Sequence, residues 1–534
     1  MSSHAQSLPK GQACLDCRRR KIKCDSIRPI CGPCSRACRS EDCEYMDGGG
    51  TSNMQRLEEN ISRIQTRIMD LEHPGHAPPT VMLRNPYNDC HYQQSFSCGD
   101  SSQSRTTEGI TVHILRLALD TFSPYALEFG FFLHQARFRN ACLRSASMGS
   151  GHEQPPGALL SSICLWGACL SSSEPLASQE SSFLSRALRT ATTALSSNHP
   201  LKVIYAVQTE VLLCQYFLHK GRLLEAQYHL SLAVSYVVLG DLAKLRSSRA
   251  SQSHGSSIPV PRDSIEEGEL IRGFWTVVSL DKSWSAILNF PSNFIRGEDT
   301  PCNVDTPWPL EMEEYERNQL QQLRSAYTVE SFVDDVPGSE SDGVSFLAIL
   351  AKSAILLDRA TLTAQKWSAH MTSTDSAVFF DTFTKLNARI KKFRDSLPSP
   401  QALAGSNVAT RQSLILGHTL AHAATIQLNR TFIAFNPRAK DLCLGACRSI
   451  VHTLQAVNPR HLVHVNPIIG AVWAATGRIL VEEVLRLRAF PSSAPAVADM
   501  TNAYNELVAS VTLFSKNCPF MQFQLGQLRA SGGF

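Results

Sequence analysis

The sequence has no apolar run long enough to cross a bilayer: its longest runs, such as "LSLAVSYVVLG" from Leu230, fall well short of the about 18 residues required. Its opening, "MSSHAQSLPKGQA", lacks the apolar centre of a secretory signal. No membrane partner is therefore expected, and the chain reads as soluble and intracellular. Familiar catalytic signatures are also missing. There is no P-loop, no GxGxxG following a strand, no GxSxG elbow and no HExxH pair, so the expectation is a non-enzyme. Nowhere do several period-two strands line up, which argues against an extensive β-sheet. Finally, no histidine lies between residues 5 and 72, and this matters because most of the clustered cysteines lie there.

What is present is unevenly distributed. Of 534 residues, 43% are apolar, enough for a sizeable buried core and more than one domain. The formal net charge is +4, and residues 1–45 already hold nine Lys or Arg against five Asp or Glu. That local excess equals the charge of the whole chain, so everything after it is balanced. A basic terminal module on a neutral body points to a polyanion bound at one end. Seven of the 17 cysteines fall between Cys14 and Cys43. In a reducing compartment they read as metal ligands, because disulfides are rare there.

Residues 11–47 are poor in large apolar side chains and need a metal staple to fold. The spacing Cys14-x2-Cys17-x6-Cys24-x6-Cys31-x2-Cys34-x8-Cys43 is two half-units, each a close pair followed by a lone cysteine. Two structural zinc ions need eight ligand positions. Six cysteines supply eight only if two thiolates each bridge both metals, and without histidine the RING and LIM arrangements fail. The spacing therefore selects a binuclear cluster with two Zn²⁺ per chain. Between Cys17 and Cys24 stand Arg18, Arg19, Arg20, Lys21 and Lys23. Taken alone, such a run is also what a nuclear-import signal or a solvated face looks like.

The residues "ACLDCRRRKIKCDSIRPICGPC…C" resemble the fungal binuclear zinc-cluster transcription factors. The resemblance implies that Cys14 and Cys31 bridge, with Cys17 and Cys24 completing one metal site and Cys34 and Cys43 the other. Cys38 is an additional cysteine within the last interval. As a sixth ligand it would leave a shorter spacing than the family uses, so Cys43 is expected in that role. The resemblance also implies that Cys17 begins a short helix and that Arg18 to Lys23 radiate from it. Lys21, with Arg20 beside it, falls at the base-reading position, and Arg18 and Lys23 at phosphate-contacting ones. Double-stranded DNA with a CGG-like triplet is the expected partner, and the nucleus the expected location.

After a "GGGTSN" linker (48–53), Met54, Leu57, Ile61, Ile64, Ile68 and Leu71 alternate by three and four, the a/d pattern of a coiled coil over 54–72. In a parallel pair Arg67 would face Glu72, so a homodimer is expected. The register of linker and coil looks most like members from mushroom-forming fungi.

Residues 73–109 read as a flexible linker. Residues 110–520 read as a large all-α domain, followed by a tail at 521–534; residues 1–10 read as disordered. Ile204, Val207, Val211, Cys214 and Leu218 form one helical stripe ending near Gly221, and Leu223, Leu230, Val234 and Val237 another ending near Gly240. Ser264 and Glu267 are placed as a capping box for a stripe running Leu270, Phe274, Val277, Asp281, Trp284 and Leu288. Within it, "EEGELIRGFWTVVSLDKSWSAILNFPSNF" resembles the regulatory middle homology region of the same family. Asp281 is the odd member of the stripe and calls for a structural ion pair. His418 and His422, and Cys443 and Cys447, read as packing residues. Transcription machinery or co-regulators are implied as partners, while nothing in the sequence supports a small-molecule effector. The rival expectation is an enzyme carrying an accessory zinc module.

Overall fold

The computed structural model describes residues 13–40, 43, 45, 62, 65, 106–107, 110–148, 155–196, 199–249, 258–294, 304–319, 324–336, 344–400, 408–457, 462–490 and 494–532. The chain divides into two compact units, Met1–Ser101 and Ser102–Phe534. The six residues of the expected coiled-coil seam lie outside the described residues. Within that segment only Ser62 and Gln65 are described, both helical and exposed.

The first unit is built on two five-residue helices, Leu15–Arg19 and Gly32–Arg36. Its buried cluster consists of the six cysteines of the expected ligand set, with Ala13 and Tyr45 packed against it. Among the described residues no aliphatic core holds these helices together. The interior is sulfur, as a metal-stapled module requires.

The second unit is helical. Among the described residues its strands are a two-residue antiparallel pair, Thr106–Thr107 with Ile110–Thr111. The core is organised around Ser264–Leu288, a 25-residue helix buried over most of its length. It packs against Lys202–Lys220, Leu223–Leu239 and Phe346–Gln365, and the last of these packs extensively on Val408–Asn429. The helices 202–220 and 223–239 are the two striped segments read from the sequence. They turn at Gly221, whose φ of 75° is open to glycine at little cost. No helix among the described residues is long and apolar enough to cross a membrane.

Two expectations change. The cap of the central helix is Asp263, whose carboxylate accepts from the Ile265 and Glu266 N–H groups at 3.1 and 2.9 Å. A charged acceptor one residue earlier displaces the proposed Ser264 box. Ser264 Oγ instead donates to Tyr315 O, and Glu267 pairs with Arg246 at 2.7 Å. At the other end of the chain, the supposed tail contains the helix Pro519–Ser531. It buries Phe520, Met521, Leu525 and Leu528 against Ile468–Arg488 and Ala494–Ser515.

Asp281 is fully buried and is engaged by hydrogen bonds from the turn that follows its helix. One carboxylate oxygen accepts from the backbone and side-chain N–H groups of Asn293, each at 2.9 Å, and the other from Ser292 Oγ. Lys282 Nζ stands 3.9 Å away. The carboxylate thus pins the Pro-Ser-Asn turn that follows the helix. His418 and His422 stack one turn apart, and burial holds both below the ordinary histidine range. Cys443 and Cys447 are buried core thiols.

Candidate metal centre and nucleic-acid interface

The two short helices of the first unit are built alike. Each is preceded by a cysteine in extended conformation, Cys14 and Cys31, at the N-cap. Each carries a second cysteine three residues on, Cys17 and Cys34, facing the same interior. Each ends in the same reversal. Lys21 N–H donates to Arg18 O and Ile22 N–H to Cys17 O; in the second half Cys38 N–H donates to Ser35 O and Arg39 N–H to Cys34 O. This paired closure around a left-handed residue is a Schellman motif, and it lets a helix of five residues stop cleanly.

The consequence is a convergence of sulfur. Cys14 Sγ lies 3.6 Å from Cys31 Sγ and 3.7 Å from Cys34 Sγ, and Cys17 Sγ lies 3.6 Å from Cys31 Sγ. Tetrahedral zinc with Zn–S bonds of about 2.3 Å sets its ligand sulfurs about 3.8 Å apart, so these separations suit such ions. The six thiols form two groups of four, Cys14, Cys17, Cys24, Cys31 and Cys14, Cys31, Cys34, Cys43, each with all sulfurs within 4.8 Å. Cys14 and Cys31 belong to both. Cys38 is exposed and belongs to neither.

Backbone donors support the sulfurs as well. Cys17 N–H points at Cys14 Sγ at 3.4 Å, Ser26 N–H at Cys24 Sγ at 3.4 Å and Cys31 N–H at Cys43 Sγ at 3.2 Å. Such bonds stabilise thiolate over thiol, the form that binds metal.

Two acidic residues not singled out in the sequence hold the frame. Asp16 is buried, and it accepts from Arg19 Nη2 at 2.9 Å and Arg20 Nη1 at 3.4 Å. Burial pushes its carboxyl up, but the bonds from Arg19 and Arg20 outweigh this and hold it below the ordinary carboxylate range. Asp25 accepts from Gly32 N–H with both oxygens, at 3.1 and 2.9 Å, and so ties the loop after Cys24 to the start of the second helix.

The basic run is wholly exposed, but it does not lie along one helix. The helix starts at Leu15, two residues before Cys17, and ends at Arg19; Arg20 is its C-cap and Lys21 has φ 55°. Only Arg18 and Arg19 are helical. The side chains of Arg19 and Arg20 are partly committed to Asp16, whereas Arg18, Lys21 and Lys23 form no ion pair among the described residues. Among the described residues, then, the three cations that the resemblance assigns to phosphate and base contacts are without an ion pair.

Comparison with known proteins agrees with this geometry. Residues 12–48 match the fungal Zn(2)-Cys(6) binuclear cluster domain, which binds two zinc ions, and residues 122–394 match the fungal specific transcription factor domain. The chain is 44% identical over 50 residues to a chromatin structure-remodeling complex protein of Saccharomyces cerevisiae, covering 9% of this chain and 6% of that one. Over 120 residues, 21% of this chain and 18% of the relative, it is 30% identical to an uncharacterized transcriptional regulatory protein of Schizosaccharomyces pombe. A heme-responsive zinc finger transcription factor of Saccharomyces cerevisiae is 29% identical over 82 residues, 14% of this chain and 6% of that protein. The chain thus spans less than a fifth of the length of these curated relatives. No solved structure matches it. Both domains and these relatives belong to transcription regulation, in keeping with a non-enzyme.

Proposed function

The chain belongs to the fungal specific transcription factors bearing a Zn(2)-Cys(6) cluster, and from that premise we propose that it acts in the nucleus as a sequence-specific, zinc-dependent regulator of RNA polymerase II transcription. The observation that carries this reading is the pair of four-sulfur groups sharing Cys14 and Cys31. Cys14, Cys17, Cys24 and Cys31 hold one zinc, and Cys14, Cys31, Cys34 and Cys43 the other. What the metals supply is rigidity in a module whose described interior is made of cysteine sulfur.

On that scaffold the exposed cations meet DNA. Lys21 reads a guanine edge in the major groove, and Arg18 and Lys23 bind phosphates. Arg19 and Arg20, steadied by Asp16, add positive field beside them. The chain binds as a parallel homodimer through Met54, Leu57, Ile61, Ile64, Ile68 and Leu71, so its site is a pair of CGG-like triplets. The helical body serves as the regulatory region through which co-regulators or the transcription machinery are engaged.

Selection of randomised duplex DNA by the zinc-loaded full chain, with metal content determined on the same sample, tests the proposal. Two zinc ions per chain and enrichment of paired CGG-like triplets are expected. Two zinc ions with no enriched sequence would leave the cluster standing but reduce the basic run to an import signal or protein-binding face, and the proposal would fail.

A further inference from the structure

A cavity of about 260 Å³ lies within the helical body, walled by the 202–220, 264–288, 346–365 and 408–429 helices. It is larger than the about 150 Å³ that accommodates benzene in an engineered apolar cavity. Its lining is unlike that of a packing defect. The central helix turns Arg272, Thr276, Ser279 and Ser283 toward it, at steps of four, three and four, so a polar stripe of an otherwise buried helix lines this cleft, which opens to solvent beside Leu127 and Glu313. Ser279 and Ser283 donate their hydroxyl protons to the carbonyls of Trp275 and Ser279, one turn back. Toward the cavity they present oxygen.

Two further groups need partners. Gln215 is 4% exposed, and its Oε1 accepts no hydrogen bond among the described residues. A buried carbonyl in that state is costly unless a donor arrives. Arg272, 6% exposed, donates from Nη1 to Leu310 O at 2.8 Å and lies 3.6 Å from Glu311 Oε2, while its Nε–H has no acceptor among the described residues.

The charge balance gives the sign of the missing partner. Glu128, Glu311 and Glu313 line the cavity against the single guanidinium of Arg272, which Glu311 already faces. Glu128 is buried, and one of its oxygens accepts from Asn466 N–H. Burial pushes its carboxyl up to about 7, with only that N–H opposing, so near neutral pH it is divided between acid and carboxylate, and a cation arriving beside it would hold it ionised. Phe131, Phe132, Trp284 and Phe346 add aromatic walls, surfaces that favour a cation and an apolar body alike.

We propose that this cavity is a binding site for a small organic ammonium, its charged end held by Glu128 and the Gln215 carbonyl and its apolar body by the aromatic and leucine walls. The Arg272 Nε–H is left for an ether or hydroxyl oxygen on the same molecule. Occupation would stabilise the body, because a ligand that binds only the folded state raises its melting temperature.

The test is thermal melting of the full chain with millimolar 2-phenylethylamine, and in parallel with 3-phenylpropionate, which has a similar body and the opposite charge. The amine is expected to raise the melting temperature of the body by a few degrees and the acid to leave it unchanged. Glu128→Gln keeps an acceptor for Asn466 N–H but removes the charge, and should abolish the response; Gln215→Met should weaken it. A rise with the acid, no rise with the amine, or an undiminished amine response in either variant would overturn the proposal. If Glu128→Gln fails to fold, the Gln215→Met result decides by itself. Zinc content, followed in the same samples, reports separately on the cysteine module.

Discussion

Lys21 and Cys38 hold the same place in the two halves of the cysteine module. Each is the left-handed residue that closes a five-residue helix, with φ 55° and 53°, and each is followed by a residue whose N–H returns to the helix's second cysteine. The extra cysteine is therefore explained by its backbone. Cys38 ends a helix, and its exposed thiol lies outside both sulfur groups.

Cys38→Ser should accordingly leave two zinc ions per chain, and Cys38→Gly should stabilise the module by up to ~1 kcal/mol, because glycine meets no steric penalty at that position. Cys43→Ser should lose metal. Cys14→Ala should be the most damaging of the set, since it removes a sulfur from both groups, and structural zinc supplies about 10–16 kcal/mol of apparent folding free energy. Metal content of the purified variants checks this order, and a metal-depleted Cys38→Ser protein would contradict it.

The division among the cations gives a second expectation. Lys21→Ala should relax base preference by ~1–3 kcal/mol at one position of the site. Arg18→Ala should weaken binding to all sequences alike and lower the salt slope by about 1. Binding titrations over a range of salt, on matched and mismatched duplexes, separate the two effects. Equal losses on both duplexes for Lys21→Ala would remove it as the reader.

Asp281 carries the third. Asp281→Ala would leave the Asn293 N–H groups and the Ser292 hydroxyl without this acceptor and remove one of the carboxylates near Lys282, which also lies 3.7 Å from Asp358. Loss of a buried charged partner of this kind costs about 3 kcal/mol or more. Melting of the helical body should fall accordingly. A change below about 1 kcal/mol would mean that the turn at 291–293 holds itself.

The legible and illegible parts of the chain divide by physical cause. Cysteine spacing was legible because ligand number and metal geometry are local arithmetic, and the four-sulfur groups carry that arithmetic into space. The stripe at 223–237 was legible because its helix lies between core and solvent and must alternate faces, and that at 204–218 because its helix, buried on nearly every side, is rich in apolar residues. Asp16 and Asp25 were not, because an acid beside a basic run reads as a solvated charge until tertiary contacts bury or cap with it. The cap at Asp263 was missed by one residue, the usual uncertainty of a helix end. The helix at 519–531 was hidden by its short, glutamine-rich sequence, and its apolar face makes sense only once the 468–488 and 494–515 helices are there to receive it. The cavity had no signature at all, since its lining is gathered from segments hundreds of residues apart.

The pH dependence of the body follows from its buried histidines. Burial, aided by the nearby Arg394 and His418 charges, lowers His422 to about 2, against an ordinary value of 6.5. The unfolded chain therefore binds a proton at this residue between those values when the folded chain does not. Stability from His422 is complete above about pH 6.5 and is lost as the pH falls, by at most ~1.4 kcal/mol per pH unit. His219 and His464, each lowered to about 4 mainly by burial, act in the same direction. Glu128 and Glu269, each held up near 7 chiefly by burial, act in the opposite one, because their folded forms keep a proton that the unfolded chain has released. The net slope of the wild-type protein is thus a balance, and the difference between two proteins is the cleaner observable. His422→Leu removes one titrating group while leaving the others in place, and His422 Nδ1 has no hydrogen-bond partner among the described residues to lose. Between pH 7 and 5 the variant should lose less stability than wild type. Parallel melting curves over that range would show that the buried imidazole is already protonated in the folded chain, and that burial at this position is incomplete.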